Sequence, residues 1–70
     1  MRIVWERSGE GYYASVMGPS DEVRFHLTVE KYDDHWDWAV WRPGDNQRVA
    51  VNGIAETIQE AMRDAEQAAA

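Results

Sequence analysis

The chain has no cysteine. No disulfide or thiolate-held metal can brace it, and no thiol nucleophile is present. Basic residues are scarce: 7 Lys and Arg stand against 13 Asp and Glu, for a net charge of −6. Non-specific nucleic-acid binding depends on neutralising phosphates with Lys and Arg, so that class is disfavoured. Attachment to an anionic membrane surface needs the same charges and is disfavoured too. A basic protein partner suits the balance, and moderate acidity is also an ordinary aid to solubility. Long apolar runs are missing as well. Nothing approaches membrane-spanning length, and the opening MRIVWERSGEG turns polar too early for an apolar targeting segment. With no cysteine and no leader, the expected location is the cytoplasm.

What the chain does have is tryptophan, 4 in 70 residues. Seventy residues make a single domain, 1–70, near the lower size limit for folding unaided. Each tryptophan can bury roughly 150–250 Å². At about 25 cal/mol per Å² that is on the order of 4–6 kcal/mol apiece before entropy costs. In so small a domain, aromatic burial takes the place of disulfides.

Turn signals recur at short intervals: Ser8-Gly9-Glu10-Gly11, Gly18-Pro19-Ser20-Asp21, Asp33-Asp34 and Pro43-Gly44-Asp45-Asn46. Between them lie runs rich in Val, Trp, Tyr, Phe and Thr, which predict strands near Arg2–Glu6, Tyr12–Met17, Glu22–Tyr32, His35–Arg42 and Arg48–Asn52. Short polar turns between successive strands imply an antiparallel meander. The tail changes period: Ile58, Ala61, Met62, Ala65 and Ala69 follow helical spacing. Thr57-Ile58-Gln59-Glu60 matches a capping box, which starts the helix after Thr57 and lets it run to the end. Gly53 is expected to supply the bend out of the last strand. The predicted fold is α+β: a four- or five-stranded antiparallel β-meander with one C-terminal α-helix packed on one face.

Strand alternation divides the aromatic stretch DDHWDWAVW. Trp36, Trp38 and Val40 project to one side, with Val23, Phe25, Leu27 and Val29 of the preceding strand. These form the expected core face, joined by Ile3, Trp5, Val49 and Val51. Trp41 falls on the opposite face near Ala39, His26 and Thr28, unless a bulge turns it inward. The second strand leaves two inward sets open, Tyr12/Ala14/Val16 and Tyr13/Ser15/Met17; either one leaves a tyrosine outside. The uncovered face is therefore semi-aromatic, with Trp41, Tyr32, Arg24, His26 and Arg42 as candidate partner-binding residues, for a second copy or another protein.

Other chemistry is weaker. Asp33, Asp34, His35 and Asp37 cluster, and His35 with Asp37 share a strand face that a zinc or manganese ion would accept. Acids are ordinary turn residues, however, and the spacing matches no specific metal signature, so a solvated turn is the better reading. No metal and no cofactor is expected. Ser8, Ser15 and Ser20 sit beside no obvious base in the sequence, and one sheet with one helix leaves little room for a deep cleft. Hence no enzyme activity and no catalytic residue is expected, and His26 reads as a strand-compatible polar residue. The alternative function is single-stranded nucleic-acid binding, with bases stacked on Trp41 and Tyr32 beside Arg24 and Arg42. Asp37, Glu30 and Glu22 occupy the place of the positive groove that it needs.

The tail GIAETIQEAMRDAEQAAA together with HWDWAVWR resembles small uncharacterised proteins of proteobacteria and their phages. In these, a W-x-W or W-x-V strand is followed by a glycine, a Thr or Ser cap and an EA-x-x-A-x-x-A helix. The matching residues are Trp36, Trp38, Gly53, Thr57, Glu60, Ala61 and Ala65. The resemblance covers about half the chain and its residues are structural, so it implies the fold and carries no activity. A weaker likeness is to HicB-like antitoxin domains, which also end a sheet with glycine, a threonine cap and a Glu-Ala helix. Their glycine stands two residues before the threonine, whereas Gly53 stands four before Thr57. That likeness implies a role in neutralising another protein.

Overall fold

The computed structural model describes residues 2–44 and 48–70. Five strands, β1 (Arg2–Ser8), β2 (Gly11–Met17), β3 (Val23–Tyr32), β4 (His35–Arg42) and β5 (Arg48–Ala55), precede one helix, α1 (Ile58–Ala68). The sheet is antiparallel throughout, in the order β1-β2-β3-β4-β5, and α1 lies on one face against β3, β4 and β5. Each strand pairs with its neighbour in sequence because the connections are too short for anything else. Gly9 supplies the positive φ of 61° in the β1–β2 turn, and Asp33 takes φ 49° between β3 and β4, a region Asp enters more readily than most residues. The predicted turn at Pro43-Gly44-Asp45-Asn46 includes Asp45 and Asn46, which lie outside the described residues.

Pairing decides what alternation alone could not. Trp5 stands opposite Ala14 and Ile3 opposite Val16, so Ala14 and Val16 face inward while Tyr13, Ser15 and Met17 face out. The inner face centres on Leu27, Val16, Val29 and Val40, all fully buried. Leu27 is the only leucine in the chain. The helix contributes mostly methyl groups, from Ala61, Ala65 and Ala69, which let its backbone settle close to the sheet. Trp5, Trp36 and Trp38 are only partly buried and pack around this aliphatic centre. Each tryptophan thus seals the margin of the core and does not form its middle. Two polar contacts tie that margin down. Trp5 donates its indole N–H to Glu66 of the helix at 2.6 Å, and the Lys31 ammonium sits 5.8 Å from the ring centre of its cross-strand partner Trp36.

The helix begins as expected. Thr57 is extended, and its hydroxyl accepts from the Glu60 amide at 3.2 Å. The helix does not run to the end: Ala69 is its C-cap. Further expectations are corrected in β5. This strand continues past Asn52 to Ala55, so Gly53 is an interior strand residue and not a bend. Its lack of a side chain makes room for Trp38, its cross-strand partner: a Cβ there would lie 2.7 Å from Trp38 Cζ2. Val49 does not join the core, and Val51 and, in β3, Val23, expected there too, are exposed. The register with β4 shifts after Val40, so Val51 opposes Val40 but Val49 opposes Trp41 and borders the outer groove. One extra residue in a strand reverses the facing of everything beyond it.

Candidate functional site: the uncovered sheet face

The face opposite the helix is built from cross-strand rows. Counting outward from Asp33-Asp34, Tyr32 opposes His35, Glu30 opposes Asp37, Thr28 opposes Ala39 and His26 opposes Trp41. On one side β2 places Tyr13 beside Thr28 and Ser15 beside His26. On the other, β5 places Asn52 beside Ala39 and Ile54 beside Asp37. A shallow groove of about 320 Å³ runs across these rows, bordered by Trp41, Thr28, Glu30, Tyr32, Asp37 and Ile54 among others.

Its aromatic groups are held by hydrogen bonds. The Trp41 indole N–H donates to Thr28 Oγ1 at 2.9 Å, which keeps the ring on the outer face. The Tyr13 hydroxyl lies 2.6 Å from His26 Nδ1 and 3.0 Å from Ser15 Oγ, and the Tyr13 and His26 rings stack with centres 5.6 Å apart. Tyr32 stacks loosely on His35 at 6.4 Å and stays 51% exposed. Side chains already held, as Trp41 and Tyr13 are, lose little entropy on binding.

The electrostatics are one-sided. Glu30 and Asp37 are direct cross-strand neighbours, an arrangement that like charges destabilise. Among the described residues neither meets a lysine or arginine. Asp37 Oδ1 lies 3.0 Å from His35 Nε2, an ionic contact when the imidazole is protonated. That approach is off the line of a hydrogen bond, and the oxygen is buried without a bonded partner. Glu30 receives only a long 3.4 Å contact from the Tyr32 hydroxyl.

Of the residues singled out in the sequence, the structure brings Trp41 and His26 into direct opposition and puts Tyr32 further along the same face. Arg24 is exposed where the register with β2 shifts, near one end of β3. Arg42 is exposed too, but it follows Trp41 in β4 and alternates to the other side, away from the groove. His35 and Asp37 do meet, yet among the described residues no three His, Asp or Glu side chains converge to hold a metal. Ser15, which has no base near it in sequence, lies opposite His26, and the Tyr13 hydroxyl bridges the two. Sequence reading missed the Glu30–Asp37 opposition and the approach of Ile54. The first was within reach, since a two-residue loop fixes every partner in the hairpin.

Comparison of the chain with protein-family models, with curated proteins and with solved structures gave no match. No helix among the described residues is long and apolar enough to cross a membrane.

Proposed function

We propose that the chain is a non-catalytic protein-interaction module, bacterial or phage-encoded and acting in the cytoplasm, whose uncovered sheet face receives another protein. One observation carries this reading: the face opposite the helix is open, and two of its aromatic side chains, Tyr13 and Trp41, are held in place by hydrogen bonds while Tyr32 stands exposed. Interface anchors are typically tyrosine and tryptophan in such settings. The carboxylates of Glu30 and Asp37, which meet no lysine or arginine among the described residues, favour a partner that brings one to the groove, as an inhibitor or antitoxin-like role against a basic protein would require. The same two carboxylates weigh against phosphates, and so against the single-stranded nucleic-acid reading.

Peptides selected from a displayed library on the immobilised protein test this. Titrated against variants, they are expected to lose at least tenfold in affinity with Tyr32→Ala or Asp37→Asn and to bind Gln67→Ala like the wild type. Peptides insensitive to both outer-face changes, or dependent on Gln67, would sink the proposal.

A further inference from the structure

The acidic pair of the outer face stands in a row that runs straight to one edge of the sheet. Glu30 opposes Asp37, and Asp37 opposes Ile54, so two carboxylates and one apolar side chain line up across β3, β4 and β5. β5 is last in the sheet order, and its far side pairs with no strand among the described residues. The other edge is different in kind. Along β1, Arg2, Glu6 and Arg7 are charged and exposed, which is how an edge is normally kept from pairing with a neighbour. From Val49 to Ala55 the β5 edge has no charge and no proline. Ile54 ends the row 69% exposed, and Val51, on the inner side of the strand opposite Val40, is also exposed.

We infer that the β5 edge receives an extended segment of a basic partner as an added strand, with lysine or arginine on its outer side and apolar residues on its inner side. The inference rests on the partner-binding reading above and names the kind of segment that binds. The occupant follows from the row. A strand added beside β5 lies about 4.8 Å beyond Ile54 and about 10 Å from Asp37. The residue it sets against Ile54 becomes the next member of the row. Lysine or arginine there lays its aliphatic stem across Ile54 and carries its charge toward Asp37, whose Oδ1 is buried without a bonded partner. An apolar residue at that position covers Ile54 but leaves the two carboxylates opposed, and an acidic one adds a third. The alternate residues of the segment point to the inner side, where apolar side chains cover Val51. A net charge of −6 draws in such a segment and discourages a second copy. In strand addition main-chain hydrogen bonds supply affinity and alternate side chains supply specificity, so a short seam suffices for one segment.

A synthetic peptide of about seven residues that alternates valine with arginine, blocked at both ends, tests this. Its partners in the test are a valine–glutamate version and a valine–arginine version N-methylated at every residue, which keeps the charge and loses the donors. Hydrogen exchange is expected to slow at the amides of β5, and not at those of β1, as the valine–arginine peptide is added. Neither of the other two peptides is expected to bind. In calorimetric titrations Ile54→Lys and Asp37→Asn, their circular dichroism unchanged, are each expected to weaken binding at least about tenfold. Val4→Lys makes the same charge change at an exposed position of β1 and is expected to weaken it less than about threefold. No binding of the valine–arginine peptide, equal losses from Ile54→Lys and Val4→Lys, or equal binding of the N-methylated peptide would each overturn the inference. So would β5 amides that slow with protein concentration alone, which puts a second copy at the edge. A peptide that shifts the Tyr32 resonances while β5 exchange stays unchanged overturns the added strand and leaves the outer-face reading standing; failure of that reading shows in the library selection instead.

Discussion

Replacing Gly53 by alanine adds one methyl group against the Trp38 ring on the inner sheet face. The new carbon would stand 2.7, 2.8 and 3.0 Å from Trp38 Cζ2, Cε2 and Nε1, well inside the ~3.5 Å at which carbons rest against each other. The indole has little freedom to give way, since it packs against both the Leu27–Val40–Ala65 and the Val29–Ala61 parts of the core. Gly53 is not in the left-handed backbone region, so alanine meets no backbone strain. By restricting the unfolded chain it would contribute about 0.4–1 kcal/mol of stability if space were the only free variable. Overpacking costs about 1–3 kcal/mol, which leaves a net loss of roughly 1–2 kcal/mol. Total stability at this length is about 4–10 kcal/mol, so the loss is large. In a thermal melt it lowers Tm by roughly 5–15 °C. The matching experiment repeats the substitution in a Trp38→Phe background, where the crowding atoms are gone and Gly53→Ala should be neutral or mildly stabilising. Trp38→Phe also removes an indole N–H that is buried without an acceptor, which limits its own cost. A Gly53→Ala protein as stable as the wild type, or an equal loss in both backgrounds, would refute the account of this glycine as space for a ring.

Two further substitutions test the helix start and the outer face. Thr57→Ala removes the acceptor for the Glu60 amide and should cost about 1 kcal/mol, seen in urea as a lower midpoint with an unchanged slope. Tyr13→Phe removes the hydroxyl shared by His26 and Ser15. It should cost about 0.5–1.5 kcal/mol and shift the His26 ring resonances in NMR spectra; spectra without a shift at His26 would mean that the contact does not persist in solution.

The sheet was largely legible in the sequence because β-branched and aromatic residues alternate cleanly between turn residues of fixed chemistry. The helix was legible from its period and its threonine cap. What alternation could not supply was pairing. Tyr12 to Met17 offered two plausible inner sets, and only the opposition of Trp5 to Ala14 and Ile3 to Val16 decides between them. Val49 escaped because a register shift leaves no trace in a hydrophobic pattern. Gly53 looked like punctuation because glycine serves both as a hinge and as an empty space, and the second use depends on a ring fifteen residues earlier. Alternation put Trp41, His26 and Tyr32 on the outer face and acids beside them, but it did not show that two of those acids stand directly opposite each other. Glu30 and Asp37 look unrelated along the chain and become neighbours only once the hairpin closes.

The order β1-β2-β3-β4-β5 also bears on how the molecule reaches its native state. Every strand pairing joins sequence neighbours through a short connection, so each hairpin can close on the microsecond scale without waiting for a distant segment. The helix is different. It must cross back over β3 and β4, and until it does, Leu27, Val29 and Val40 lie under open water. Hairpins of this kind form fast and are individually weak, and the inner sheet face stays unburied until the helix docks. A pause before that step exposes an apolar sheet with a bare β5 edge, the form of this chain most at risk of aggregating.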